Sequence, residues 1–420
     1  MCNKRTISLF LLVSLFVLFF AGCRTTSNLP SLSEQDSPRT QDVKTLYSTL
    51  VKVHPDFFAN TSRKAFEEAC LHALQEADTL SDVDFYYTLG KLAAMAKDSH
   101  TAVGITQEIV NQMRALPVQF AAIDGSWRLS VVESTYERLL GSTLLSINSV
   151  PIDEIIERAK DLYSHDNDVW LNAKIAQQLH LSSLYAYLGI ASDPSDDVLL
   201  TVLPLDSLAE ETVVLKPISA SDFATLSFAY IDVSKMKTGP VSRPYRAFEL
   251  NEGEVLFVQY NACISDEQFP IDSFIDQVLG LVSEKSYTKI LIDLRYNSGG
   301  DSRLFEPMVK GLSSLQKEKG FSLDVLIGEG TFSSALMNAV HFTMLTDCRL
   351  VGTPTGGSVN HYGEVELFTL PNSGIQVMHS TKHFVMDRSY PAGSLQPDLM
   401  IYQTIEDLLN GIDTQVEAII

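Results

Sequence analysis

The sequence predicts an α/β protein with three parts: a C-terminal half on a largely parallel sheet, a small N-terminal helical domain, and a mixed β/α module between them. Three observations carry this. From about residue 220, short apolar runs alternate with helical patterns, which is how βαβ units read in sequence. Between Val43 and Ala96 apolar residues recur at helical spacing, with Phe66, Ala69, Cys70, Ala73 and Leu74 forming one stripe. From about 115 to 218, strand-like and helix-like segments mix. A chain of 420 residues that is 45% hydrophobic is long enough and apolar enough for two or three such units.

The N-terminus reads as a targeting segment. Lys4 and Arg5 precede the apolar run from Ile7 to Phe20, and small residues lead to Cys23 in Phe20-Ala21-Gly22-Cys23. A basic start, a short apolar stretch and a small-residue cleavage site make a secretory signal over residues 1–22. The run is shorter than the ~20 residues that span a bilayer core. An uncleaved anchor or a plain secreted protein remain the alternatives on the pattern alone. The segment also resembles the bacterial lipoprotein signal, which implies acylation of Cys23. The expectation is an extracytoplasmic protein held at the cell envelope by acyl chains on Cys23, because stable anchoring takes more than one chain.

The charge balance supports acyl chains over a basic patch. The chain has 31 basic and 52 acidic residues, a net charge of −21. Removing Lys4 and Arg5 with the signal leaves 29 against 52, or −23. Such a surface repels nucleic acid and anionic headgroups, so no nucleic-acid partner is expected. Cys70, Cys263 and Cys348 are too few and too scattered for a disulfide framework, and no HExxH or CxxC spacing marks a metal site. No metal and no cofactor are expected.

Residues 23–40 are polar and read as a flexible tether. The helical domain follows over 41–105 and ends near the polar turn Lys97-Asp98-Ser99-His100-Thr101. The module over 106–220 opens with a strand, turn and short strand across Ser142 to Pro151. An amphipathic helix from Ile152 to Leu162 comes next, then strands at Val198–Leu203 and Thr212–Leu215. Over 221–420, strands are expected at Val255–Val258, Lys289–Leu294 and Leu323–Gly328, with helices at Phe274–Val282 and Leu304–Leu315. Near-continuous apolar strands between helices imply a buried parallel sheet.

In such a sheet, ligands gather beyond the carboxyl ends of the strands. One strand end runs into Arg295-Tyr296-Asn297-Ser298-Gly299-Gly300, the next into Glu329-Gly330-Thr331-Phe332-Ser333-Ser334. Paired glycines can turn with positive φ and aim bare N–H groups at one point, as an oxyanion requires. Ser333 is expected to begin a helix, because Leu336, Ala339, Val340, Thr343 and Met344 then form one stripe. A serine there has unpaired N–H groups and the positive end of the dipole beside it. On these residues alone a simple N-cap at Ser333 and a simple turn at Gly299-Gly300 stay open. So does a surface turn histidine at His100.

At these residues the chain resembles a known family. Asp293-Leu294-Arg295-Tyr296-Asn297-Ser298-Gly299-Gly300 is similar to the Asp-Leu-Arg-x-Asn-x-Gly-Gly signature of the tail-specific, or C-terminal processing, serine peptidases and the related tricorn core. Thr331-Phe332-Ser333-Ser334 resembles the nucleophile turn, Val351 to Gly357 the following Gly-x-x-Thr-x-Gly segment, and Ser394-Leu395-Gln396-Pro397-Asp398 the closing Gly-Val-x-Pro-Asp. Ser142 to Pro151 is similar to the strand pair of a PDZ-like module, with Ser149 at the usual glycine. The resemblance implies a crotonase/ClpP-like βαβ core with a degenerate PDZ-like module.

It also implies roles. Ser333 would be the nucleophile of a serine peptidase acting on peptides or unstructured protein tails through an acyl-enzyme. Backbone N–H groups of Gly299, Gly300 and Ser334 would form the oxyanion hole. Processing peptidases carry a base lysine after Gly-x-x-Thr-x-Gly, but Ser358 stands there, so no Ser–Lys dyad forms. Tricorn-like enzymes use a Ser-His pair instead, which Ser99-His100 matches, with a histidine near neutral pKa as the expected base. Their orienting Glu has no counterpart, because Pro391 holds that place; Glu364 and Asp387 are the candidates, and Ser99 could relay a hydrogen bond to the acid. His361 is the reserve base, His379 and His383 are surface or groove residues, and Asp293 with Arg295 is expected to be a structural ion pair. The missing lysine and glutamate favour a second reading, a non-catalytic peptide-binding lipoprotein of the same fold. An acyl-thioester enzyme conflicts with the secretory signal, and an α/β-hydrolase lacks its Gly-x-Ser-x-Gly.

Overall fold

The computed structural model describes residues 29–223 and 225–420. The expected signal over 1–22 and Cys23 lie outside the described residues.

The first unit is three helices: α1 (Pro38–Val53), α2 (Arg63–Glu76) and α3 (Asp82–Ala94). Each is started by a serine. The hydroxyls of Ser37, Ser62 and Ser81 accept from the backbone N–H of Thr40, Ala65 and Asp84. The predicted α2 stripe packs inward, with Phe66, Cys70 and Ala73 buried and Ala69 and Leu74 against them. Of the expected tether over 23–40, residues 23–28 lie outside the described residues and residues 38–40 belong to α1. Helix α1 begins at Pro38, and Lys44 holds Asp36 and the Ser31 carbonyl, which pins residues 31–36 to the helix.

The second unit is an antiparallel sheet wrapped on helices. Its strands are β1 (Val118–Ile123), β2 (Ser126–Glu133), β3 (Thr143–Ile147), β4 (Val198–Leu203), β5 (Glu211–Leu215) and β6 (Phe228–Tyr230). They run in the order β6-β2-β3-β4-β5, with β1 paired to β2. The turn after β3 is the expected one: Asn148 and Ser149 both take positive φ, as a two-residue hairpin turn demands. Helix α4 (Asp168–Gln178) packs on this sheet through Leu171 and Ile175. Strand β6 lies beyond the expected boundary at 220, so this unit ends after residue 230.

The third unit confirms the parallel sheet. Strands β7 (Tyr245–Leu250), β8 (Val255–Tyr260), β9 (Lys289–Asp293), β10 (Ser322–Ile327) and β11 (Cys348–Gly352) lie side by side in this order. The run β8 to β11 is parallel, and β7 is an antiparallel edge. Helices α5 (Ile271–Glu284), α6 (Glu306–Lys319) and α7 (Ser334–Leu345) link the parallel strands. All three cover one face: Leu256, Val258, Ile290, Ile292, Val325 and Ile327 share a core with them. The alternate residues Phe257, Leu291, Leu326 and Val351 point to the other face and meet Val416 and Ile419. Buried on both sides, these strands have no polar face to show, which is why they read as continuous apolar runs. The predicted α7 stripe holds only in its first half. Leu336, Ala339 and Val340 are buried, whereas Thr343 and Met344 face solvent and Phe342 takes their place in the core.

A long hairpin, β12 (Asn360–Thr369) and β13 (Gln376–Val385), leaves the core and reaches back to the helical unit. Leu370, Ile375 and Val377 complete the core of that unit, and Asp42 accepts the N–H groups of Asn372 and Ser373. The short strand Ala102–Val103 then pairs with β13. This pairing carries the preceding turn, with His100, to the end of the parallel sheet. A final short strand, β14 (Leu399–Met400), closes the sheet beside β11.

Candidate active site

The loops after β9 and β10 are tied together before any side chain chemistry begins. Thr331, fully buried, accepts the N–H of Gly328 at 3.0 Å and donates to the Leu294 carbonyl at 2.8 Å. Asn297 accepts the N–H of Phe332 through its carbonyl at 3.1 Å, and the Thr331 carbonyl accepts from Gly357 at 3.0 Å. These bonds force a sharp turn between β10 and α7. Ser333 sits at its apex with φ 50° and ψ −122°.

That conformation decides between the two readings of Ser333. A serine N-cap takes extended angles and accepts a helix N–H, but Ser333 does neither and makes no cap hydrogen bond. A non-glycine residue held in such a region costs about 1–3 kcal/mol. The turn thus holds the Ser333 side chain out of the helix, half-buried at its N-terminus.

The paired glycines stand opposite. Gly299 and Gly300 have φ of 113° and 133°. A Cβ on Gly299 would lie 2.9 Å from the Ser333 Cβ, and one on Gly300 would lie 2.3 Å from the Cys263 carbonyl oxygen. Only glycine fits either place. The chain is fixed here by Cys263 N–H donating to the Gly299 carbonyl and Asp301 N–H donating to the Cys263 carbonyl. The Ser334 hydroxyl donates to the Gly300 carbonyl at 2.7 Å. Among the described residues no acceptor takes the N–H of Gly300 or of Ser334. Gly299 differs from expectation, because its N–H already donates to Asn297 Oδ1 at 2.9 Å. The candidate oxyanion donors are therefore Gly300 and Ser334, with Asn297 locking the turn between them.

His100 reaches the same place from the helical unit. Its ring stacks on Phe332, the neighbour of Ser333, at 4.6 Å between centroids, and on His361 at 5.6 Å. The Phe332 ring is covered on its other side by Trp170 from α4, at 3.7 Å and nearly parallel. All three units thus meet at the Ser333 turn. Neither ring nitrogen of His100 has a hydrogen-bond partner, so no Ser333–His100 hydrogen bond exists in this arrangement. Burial, with the charges of His361 and Lys174, outweighs the pull of Asp98 and takes the His100 pKa down to about 4. The imidazole is a weaker base than the near-neutral one expected.

The acids at the imidazole are not those the sequence nominated. Glu364 is exposed and paired with Lys382 at 2.8 Å. Asp387 caps its own loop, accepting the Ser389 N–H and hydroxyl. Asp98, two residues before His100, is buried and accepts from His54, Thr101, Ser380 and the His100 N–H. Burial pushes its pKa up, but these hydrogen bonds prevail and hold the carboxyl below its ordinary value. Its Oδ1 lies 3.9 Å from His100 Nδ1. Ser99 does relay to a carboxylate, but to Asp166: the Ser99 hydroxyl donates to Asp166 Oδ1 at 2.7 Å, and the Ser358 hydroxyl to the same oxygen at 2.8 Å. Ser358 thereby clasps the core to the histidine turn. Its carbonyl also bonds His361 Nδ1 at 2.8 Å, which fixes that ring.

Asp98 was legible as a carboxylate in the quoted turn. Asp166, Trp170 and the pairing of Asn297 with Gly299 had no local signal. Asp293 and Arg295 do form a buried ion pair, extended by Asp413 and Gln415, and it braces the loop after β9.

A scan against protein-family models returns no match, and a search of curated proteins returns none. Among solved structures the chain is similar to mature CPAF complexed with lactacystin, at TM-score 0.60 and 13% identity, over 91% of this chain and 97% of that one. A second structure of mature CPAF matches at 0.58 and 14%, over 91% and 96%. The photosystem II D1 C-terminal processing protease matches at 0.42 and 12%, over 90% and 98%. The likeness to CPAF runs almost end to end through both chains and establishes a shared fold.

Proposed function

We propose that this chain is a serine-type peptidase that hydrolyses peptides or unstructured protein tails through an acyl-enzyme at Ser333. The observation that carries the reading is the turn at Ser333: a serine forced to positive φ, unused as a cap, beside the free N–H groups of Gly300 and Ser334. The end-to-end likeness to CPAF and the four sequence segments support the same reading.

In this scheme the Ser333 hydroxyl attacks the scissile carbonyl, and His100 takes its proton. Gly300 and Ser334 N–H groups, aided by the N-terminus of α7, hold the oxyanion. The imidazolium then gives its proton to the leaving amine, and water releases the acyl group by the reverse path. Asp98 Oδ1, 3.9 Å from Nδ1, would accept from that nitrogen once the ring shifts, which leaves Nε2 to face the hydroxyl. Catalysis requires the Phe332–His100 stack to shift so that Nε2 reaches the hydroxyl. Hydrogen bonds of this kind often tighten only with substrate bound. The lipid anchor at Cys23 and an extracytoplasmic location belong to the same proposal and rest on the N-terminal sequence.

The unpartnered imidazole favours one alternative, a peptide clamp without catalysis. A fluorophosphonate probe separates the two. Wild type is expected to label, and Ser333→Ala to abolish labelling. An unlabelled wild type that also leaves casein intact would establish the clamp.

A further inference from the structure

Behind the histidine turn lies a cavity of about 170 Å³, enclosed by the helical unit, the second unit and β13. Tyr86 and Tyr87 of α3, Ser99, Tyr163, and Lys174 and Gln178 of α4 line it. Its chemistry is one-sided. Lys174 is half-buried, and no carboxylate pairs with it among the described residues; its ammonium lies 4.7 Å from the Trp170 ring centre. Burial pulls its pKa down, as expected of a cation without a counter-charge. The hydroxyls of Tyr87 and Tyr163 are buried without any partner. A half-buried cation and two unpaired phenols each carry some desolvation cost that a matching acceptor would lessen.

The chain has 52 acidic residues for 31 basic ones, so carboxylates abound, yet none is placed here. Waters could satisfy the hydroxyls, but neither they nor the Trp170 ring supplies the ammonium with a counter-charge. At roughly 30 Å³ per water, the volume suits a small organic acid rather than a nucleotide or a folded segment.

We propose that this cavity binds a carboxylate-bearing small ligand, with Lys174 pairing with the anion and Tyr87 and Tyr163 donating to it. The occupant would rest against Ser99, whose hydroxyl holds Asp166, and so would brace the turn that carries His100.

Thermal unfolding of the purified protein tests this without reference to catalysis. At constant ionic strength, replacing chloride by succinate should raise the unfolding midpoint in a saturable manner. Lys174→Gln should abolish the response, and Tyr163→Phe, a gentler change, should weaken the apparent affinity at least threefold. Circular dichroism confirms that each variant folds. A short peptide acid and its C-terminal amide distinguish sources: a Lys174-dependent response to the acid alone assigns the carboxylate to a peptide end. Equal responses in wild type and Lys174→Gln, or none to any carboxylate, would overturn the proposal.

Discussion

The two halves of the candidate site are built in opposite ways. The serine half, from Gly299 to Ser334, comes from adjacent strand ends of one sheet and is cross-braced by main-chain and buried threonine hydrogen bonds. The imidazole half is assembled from three units: His100 from the helical one, Asp166 and Trp170 from the second, His361 and Ser358 from the core. The first half is preorganised, with bare amides in place. The second holds its ring chiefly by stacking, with Asp98 at 3.9 Å and neither nitrogen hydrogen-bonded. Chemistry that needs a fixed oxyanion geometry can rely on the first half, whereas proton transfer depends on how the units settle against one another.

Substitutions on each side sharpen this contrast. His100→Ala should slow acylation of Ser333 by about 10²-fold or more, measured with the fluorophosphonate probe. Unchanged acylation would move the role to His361 and break the division drawn above. Gly300→Ala tests the other half. Its Cβ would strike the Cys263 carbonyl at a φ that alanine avoids, so about 2–3 kcal/mol of stability should go, together with labelling. A stable, active variant would mean the loop is not preorganised.

Acid offers a third effect, read on stability alone. His100 and His180 are each taken from about 6.5 to about 4, chiefly by burial. The unfolded chain therefore takes up protons first. Stability should be full above pH 6.5 and decline as pH falls towards 4, by up to about 1.4 kcal/mol per pH unit for each histidine. Asp166, pushed upward by burial, offsets part of this slope. Denaturant melts of His100→Ala across this window should show a shallower decline; an unchanged slope would mean that the ring is not held neutral. Glu364→Gln should change neither activity nor stability measurably, since the side chain faces solvent and pairs only with Lys382.

The contrast also explains what was readable beforehand. Strands β8 to β10, the helices between them and the Gly299-Gly300 and Ser333 turns depend on spacing within a few residues, and they stand where the pattern put them. The Asp124-Gly125 turn between β1 and β2, both residues at positive φ, is a hairpin absent from the expected elements, although Asp-Gly favours one. Glu364 was nominated by nearness in sequence to the nucleophile. It fails because it lies on an exposed stretch of the hairpin, where positive φ and solvent direct it to Lys382. The second half of the α7 stripe failed because only the first turns of that helix lie over the sheet.

By itself, the sequence determined the parallel sheet, the strand ends where chemistry gathers, and the serine and glycines that face each other there, because each follows from local backbone preference and hydrophobic period. Tertiary structure alone decided the partners. Ser99 meets Asp166 across 67 residues and Ser358 meets it across 192. It decided too that Gly299 spends its amide on Asn297 and that Lys174 is left without an acid. Such pairings depend on how separately folded surfaces come to rest together, and no spacing along the chain encodes that directly.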